Sequence, residues 1–358
     1  MRFPPPSEPF GSPAELIVSL RDFLSPHANL QPELTALLVA FGLATWFCDC
    51  MPVAPVLYLF GPDGAVSQVL RLLACLCHRP VLLGDVDFWG LSTLPNRLGA
   101  TLLINQRDLG RRVKRALIAS NRRHFCVMGG GQRLDLHGAK VFCCEDSREA
   151  VHGLRASVSP AQNPAPILTD SEEEVLTREF QAKLLRYRMV HYERVCASRI
   201  DCSAFVPEMR EQASAWLASI VGCPELSKSV SEEILLQSKE AAETRFFDPK
   251  CVVSEAALFF CHQEGTVHFF VGELAGVVNG LLKGRDEEPE MSAKKVGLVL
   301  RELGLHSERV AEGYKVTLTD TTRERIHSVA FAYQVLPFQD GVRYCRDRRA
   351  INKSPQHL

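Results

Sequence analysis

The chain has 358 residues, 46% of them hydrophobic, 23% charged and 8% aromatic, with a formal net charge of −1. That composition excludes a disordered chain and leaves room for two or three domains, each with its own core. A near-neutral balance supplies no global field toward nucleic acid or anionic membrane, so any such affinity has to come from a local patch.

The first residues, "MRFPPPSEPFGSP", have neither the basic start nor the apolar run of a secretion signal, and their prolines predict an extended, poorly ordered arm. The apolar stretch from Leu34 to Phe47, with Cys48 beyond it, is interrupted by Gly42 and too short to span a bilayer. It reads as a buried helix packed beside the domain that follows. The 13 cysteines are an odd number in a long chain, so they read as reduced thiols in a cytoplasmic protein with no membrane partner.

Short runs rich in β-formers come next: Val56–Phe60, Pro80–Gly84, Ala100–Asn105, Phe125–Met128 and Ala139–Cys144. Runs apolar on both faces, separated by helical or turn segments, suit strands of a mainly parallel sheet covered by helices. Residues 52–160 are therefore expected to form an α/β domain, preceded by an arm and packing helix over 1–51. The linker "SVSPAQNPAPILTDSEEE" then offers Thr169 or Asp170 as a helix cap ahead of three glutamates. From there the pattern is helical, giving a middle domain over 161–250. Its cations Lys183, Arg186, Arg188 and Arg194 spread around one helix, as on a solvated face.

The last part alternates differently. "VSEAALFFCHQEG" predicts a helix, "TVHFFV" a strand, "GELAGVVNGLLKGR" and "SAKKVGLVLRELGL" two more helices, and "SERVAEGYKVTLT" a hairpin turning at Glu312-Gly313. A closing helix follows, with Asp320 as its cap. That order is a winged helix over 251–335, with Ser292 capping the recognition helix. Lys294, Lys295 and Arg301 on that helix, with Arg309 and Lys315 on the wing, are the candidate phosphate contacts, so DNA is one partner and a docked protein the other. A basic tail over 336–358, with Arg343, Arg346, Arg348, Arg349 and Lys353, adds positive charge.

The stretch "VLYLFGPDGAVSQVLRLL" has the outline of a phosphate-binding loop: strand, glycine turn, helix. Gly61 and Gly64 stand in register, but Ser67 occupies the lysine position, Gln68 the hydroxyl position and Val66 that of a glycine. Asp63 adds a negative charge. A unit charge at about 4 Å is worth roughly 4 kcal/mol near a protein surface, so losing a cation and gaining an anion opposes tight triphosphate binding. At the end of "TLLINQRDL", Asn105 and Gln106 stand where an ATPase has acids for magnesium and water. Neutral amides neither hold magnesium firmly nor act as a general base.

On "LYLFGPDGAVSQVLRLL", "RPVLLGDVD", "TLLINQRDL" and "ALIASNRRHFCVMGGG", residues 52–146 resemble the P-loop ATPase cores of the additional-strand class found beside primase and helicase modules in mobile elements. The whole chain is similar to bacterial proteins that join such a core to a carboxy-terminal winged helix. The resemblance implies a three-layer α/β fold and nucleotide-linked ancestry, without activity, because every aligned charged position is substituted.

Other features read blandly. Arg122-Arg123 before a strand suits a solvated edge, and "GGGQRLD" a loop or hairpin. Cys48-x-Cys50, Cys75-x-Cys77-His78 and Cys143-Cys144 lack the two-residue spacing of zinc knuckles and read as buried thiols, so no metal or other cofactor is expected. Ser67 lacks the glycine-flanked elbow of a hydrolase nucleophile, and no catalytic residue is assigned. The expected function is a catalytically silent P-loop scaffold with a winged helix. The alternatives are a living NTPase whose cation comes from Arg122 or a neighbouring subunit, and a purely structural interaction module.

Overall fold

A computed structural model of the chain describes residues 4–28, 30–94, 99–129, 132–145, 153–159, 168–245, 248–285, 290–333 and 335. The basic tail and most of the proline-rich linker lie outside these residues. Contacts divide the chain into two units, Met1–Ser238 and Lys239–Leu358.

The first unit opens with α1 (Pro13–Ala28) and α2 (Pro32–Thr45). The sheet and its helices follow as β1 (Val56–Phe60), α3 (Asp63–Leu76), β2 (Pro80–Leu83), α4 (Phe88–Thr93), β3 (Thr101–Ile104), α5 (Arg111–Ala119), β4 (Val127–Gly129), β5 (Gln132–Leu134), β6 (Lys140–Cys143) and β7 (Leu154–Ser157). Then come α6 (Asp170–Ala197), α7 (Pro207–Ser219) and α8 (Pro224–Arg245).

Five strands form one parallel sheet in the order β2-β3-β6-β1-β7. The strand β6 lies between β1, which leads into the glycine turn, and β3, which leads into the amide pair. Four of the expected strands are there: β1, β3 and β6 are buried on both faces, while β2, at the edge of the sheet, leaves Leu82 exposed. Tyr58, Ile104 and Phe142 face α4, α5 and the β4–β5 pair, with Tyr58 and Phe142 stacked at 5.3 Å.

The expected strand Phe125–Met128 is displaced. Only Val127–Gly129 is extended, and it pairs antiparallel with β5 outside the main sheet. The fifth parallel strand is instead β7, an edge strand that buries Leu154 and Ala156 while Arg155 and Ser157 stay more open. An edge strand with one apolar face carries no continuous apolar run to read.

Helices cover the sheet and one another through side-chain bonds that cross the sequence. Gln212 on α7 accepts from the Val56 amide at 2.9 Å and donates to the Ala54 carbonyl at 3.0 Å, satisfying both backbone groups at the entry to β1. Arg71 on α3 meets Glu173 on α6 at 2.8 Å. Thr169 caps α6 in a reciprocal box with Glu172. Arg188 does not sit on a solvated face: its guanidinium grips Asp49 through both nitrogens, at 2.8 and 2.6 Å. The proline-rich arm, expected to be poorly ordered, is tied down, with Glu8 N donating to the Ala182 carbonyl at 3.2 Å and Phe10 edge-on to Tyr187 at 5.6 Å.

The second unit runs α9 (Pro249–His262), β8 (His268–Phe270), α10 (Val271–Lys283), α11 (Ala293–Glu302), β9 (Glu308–Val310), β10 (Gly313–Thr317) and α12 (Asp320–Ala332). Its three strands form an antiparallel sheet in the order β8-β10-β9. Phe269, Leu274, Val278, Val296, Leu300 and Val316 fill its core. The α9 helix begins four residues earlier than expected because Asp248 accepts from Lys250 N and Pro249 fits the first turn. The α11 helix stops where Gly304 adopts φ +75°, with Leu305 N donating to the Leu300 carbonyl and Gly304 N to that of Arg301. The hairpin turns at Ala311-Glu312 rather than Glu312-Gly313, and the cap of α12 is Thr319 rather than Asp320.

Candidate functional site

The glycine turn sits at the carboxyl end of β1, where open α/β sheets bind ligands. Its backbone differs from a phosphate-wrapping loop. The chain leaves β1 at Phe60, turns through Gly61 and Pro62, and is helical from Asp63. The Val66 amide already donates to the Pro62 carbonyl at 3.0 Å. Gly64 therefore lies in the first helical turn, not in a loop, and the amides from Val66 onward serve the helix.

Val66, Val69, Leu70 and Leu73 explain the early start. They recur at helical spacing and all are buried. A glycine at position 66 would have no side chain to anchor that first turn.

Gly61 is required for a local reason. It holds φ +144°, and a Cβ there would lie 2.2 Å from the Val158 carbonyl oxygen. Val158 N in turn donates to the Phe60 carbonyl at 2.7 Å. So Gly61 lets β1 run beside the chain leaving β7. A Cβ on Gly64 would meet nothing within 4 Å.

The two half-motifs meet. Asn105 Nδ2 donates to Ser67 Oγ at 2.9 Å, joining the residue read at the lysine position to the one read at the acid position. Gln106 turns away, accepting from Val86 N at 2.7 Å and donating to the Asp108 carbonyl at 3.2 Å. Gln68 follows Ser67 on α3 and is half-buried.

Arg107 completes the closure. Its Nε lies 2.6 Å from Asp63 Oδ1, and its Nη2 donates to the Gly61 carbonyl. The extra anion of the turn is thus met from within the chain. Sequence reasoning passed over Arg107, since nothing in "INQRDL" marks which arginine reaches 44 residues back. Arg122, the cation considered for a living NTPase, is elsewhere: Val53 bridges to it before β1, and it pairs with Glu211 at 2.7 Å.

Of the second unit's candidates, the structure brings Lys294 and Arg301 together on one face of α11. They line a groove of about 1010 Å³ with the exposed Leu298, the amino end of α10 and Tyr314 on the hairpin. Lys295 is exposed but is not part of the groove lining, nor are Arg309 and Lys315. Lys315 pairs with Glu308 at 3.1 Å, which holds that carboxyl below its usual range. Glu273 and Glu312 also line the groove.

The cysteines at the three singled-out groups are free thiols. Cys48, Cys75, Cys77, Cys143 and Cys144 are buried and Cys50 is partly so. Burial pushes the Cys48 and Cys143 thiols up to about 12. Among the described residues no cluster of His, Cys, Asp or Glu could hold a metal ion, and no helix is long and apolar enough to cross a membrane.

No family model matches the chain, and no curated protein matches it. Among solved structures it is similar to a full-length MCM homolog from Methanopyrus kandleri, at 14% identity over 66% of this chain and 64% of that one, with a TM-score of 0.33. The chain thus spans less than two thirds of that protein. It is also similar to the apo C-terminal region of NrS-1, at 10% identity over 89% and 77% of the two chains and a TM-score of 0.36. A third similarity is to Drosophila ORC in a structure bound to DNA, at 12% identity, 92% and 94% coverage and a TM-score of 0.22. With all three scores this low, the fold rests on this chain's own strand order: an α/β unit built on a parallel central sheet.

Proposed function

We propose that this chain is a nucleotide-silent relative of the additional-strand P-loop ATPases, acting as a scaffold whose second unit is a winged helix that binds DNA. The observation that carries the silent core is the helical start at Asp63. With the Val66 amide tied to Pro62 and Ser67 tied to Asn105, the turn lacks the extended loop that wraps a triphosphate. The Arg107 guanidinium beside the turn is further engaged by Asp63. The β6 strand between β1 and β3 supports the ancestry, because it is the extra strand that class is named for.

The winged-helix reading is supported by the order α9-β8-α10-α11-β9-β10 and by a three-stranded antiparallel sheet. Lys294, Lys295 and Arg301 are exposed on α11, as contact with phosphates requires. A protein partner is the second reading, favoured by the exposed apolar Leu298 and Tyr314 and by Glu273 and Glu312 in the same groove. The wider balance of residues 239–335, twelve Lys and Arg against fifteen Asp and Glu, also favours a mixed surface over a basic one. A cytoplasmic location and the division at residues 52–160, 161–250 and 251–335 belong to the same proposal.

The test is ATP binding and turnover by the purified chain with magnesium, with and without duplex DNA, beside Ser67→Ala. The expected result is neither binding nor turnover at the Gly61 turn, with retention on DNA. Turnover that disappears in Ser67→Ala would overturn the silent core; absence of retention on DNA at low salt would leave the protein partner.

A further inference from the structure

A second cavity lies at the opposite end of the sheet from the glycine turn. It has a volume of about 540 Å³, within the range that holds small ligands. His78 and Arg79 enter it just before β2, His137 just before β6, and Arg123 and His124 just after α5; Arg133 joins them from β5. These are the amino ends of the strands, not the carboxyl ends.

The lining is strongly cationic. Arg79, Arg123 and Arg133 bring three guanidinium charges, while Asp135 is one carboxylate whose Oδ1 accepts from His137 N at 3.2 Å. The other acid in the wall, Asp49, is already gripped by Arg188 through two hydrogen bonds. Lys140 lies fully buried behind the wall and acts electrostatically on Cys48, Asp135 and His137.

Two independent observations mark the place as built for something. Among the described residues, the non-glycine residues with left-handed backbone are Arg79 (φ 48°) and His124 (φ 70°), and both line this cavity. Such conformations are costly and persist where surrounding structure enforces them, often at binding sites. At Arg79 the enforcement comes from Thr101, its amide donating to the Arg79 carbonyl at 3.2 Å and its hydroxyl to that of His78 at 2.8 Å. The second observation is His137 Nε2, a buried ring nitrogen with no hydrogen-bond partner. A buried polar atom of this kind normally finds one.

We propose that this cavity binds a small phosphorylated ligand carrying at least two negative charges, of the diphosphate class and up to the size of a mononucleotide. Guanidinium groups recognise phosphate oxygens through paired N–H donors, and His137 supplies a further donor when its ring is protonated or in the appropriate tautomer. Burial first, then the charge of Arg79 beside His78 and of Lys140 beside His137, hold both imidazoles down to about 4. The cations of the cavity wall therefore disfavour further positive charge, the electrostatic condition an incoming anion relieves.

The test is calorimetric titration of the full chain with inorganic pyrophosphate. Submillimolar saturable binding is expected, weakened at least about tenfold in Arg123→Gln/Arg133→Gln, whose two side chains are exposed, and unchanged in Arg107→Gln at the glycine turn. Absence of saturable binding would overturn the proposal, as would equal affinity in the double variant or equal loss in Arg107→Gln. Binding of a 5′-phosphorylated oligonucleotide by a chain that ignores pyrophosphate would overturn it too.

Discussion

Lys140 is the most exposed weakness of the first unit's energetics because it is the least exposed of its cations. It has no solvent-accessible surface, its Nζ donates to the Gly138 carbonyl at 2.9 Å, and burial drives its ammonium down from 10.5 to about 7. The unfolded chain keeps the ordinary value. Between pH 10.5 and pH 7 the unfolded state therefore binds a proton that the folded state does not, so stability falls as pH falls through that window. Below about pH 7 both states are protonated and the full cost is present, about 5 kcal/mol for this shift at about 1.4 kcal/mol per unit. Lys140→Met keeps the length of the stem and removes the titration, while the Gly138 carbonyl loses its partner at a cost independent of pH. Urea unfolding of the wild type and Lys140→Met, followed by the fluorescence of the buried Trp46 and Trp216, isolates the effect as a difference. From pH 7 to pH 10 the wild type should gain about 3–4 kcal/mol on the variant. Parallel stability curves over that range would refute the reasoning, because the thiols and tyrosines that also titrate there are common to both proteins.

Two further outcomes follow from the site geometry. Gly61→Ala forces a Cβ onto the Val158 carbonyl and should cost about 2–4 kcal/mol in urea unfolding, whereas Gly64→Ala, in open space within a helix, should stabilise by about 0.5–1 kcal/mol. Equal losses at both glycines would mean that the turn is a loop rather than a helix start. On the second unit, Lys294→Glu/Lys295→Glu should abolish salt-sensitive retention on DNA, and replacing the pair with Gln should lower the slope of log affinity against log salt by about 2, at about 0.9 per lost phosphate contact. An unchanged slope would move the DNA contact off α11.

How much of this was legible in the sequence depends on where the partners of each residue lie. The strands β1, β3 and β6 were readable because burial on both faces leaves a run of apolar residues, β2 because its residues are all apolar although Leu82 is exposed at the sheet edge, and α6 because Thr169 and Glu172 form its cap within four residues. The edge strand β7 was not, since Arg155 and Ser157 break its run. The substitutions Ser67, Gln68, Asn105 and Gln106 were legible as residue types. That Ser67 and Asn105 bond to each other was not, because 38 residues separate them and only the β1–β6–β3 order sets them face to face. Gly61 looked like half of a phosphate motif for the same reason: the atom that demands a glycine, the Val158 carbonyl, is 97 residues away.

The two ends of the sheet divide the work in a way that the individual motifs conceal. At the carboxyl ends, around the glycine turn, the Val66 amide is bonded to Pro62, Ser67 to Asn105, and Arg107 to Asp63 and Gly61. At the amino ends, cations from β5 and from the segments that precede β2 and follow α5 converge on one cavity, with two strained backbones and an unpartnered imidazole nitrogen. Arg107 is tied off at the glycine turn, while Arg79, Arg123 and Arg133 gather at the other end of the sheet. A chain selected only to fill space would have less reason to bury Lys140 behind that cavity, where every proton it holds opposes folding. The cost is understandable if the same positive potential serves an anion on the other side of the wall, and the pyrophosphate titration and the Lys140 unfolding curves bear on that link from opposite directions.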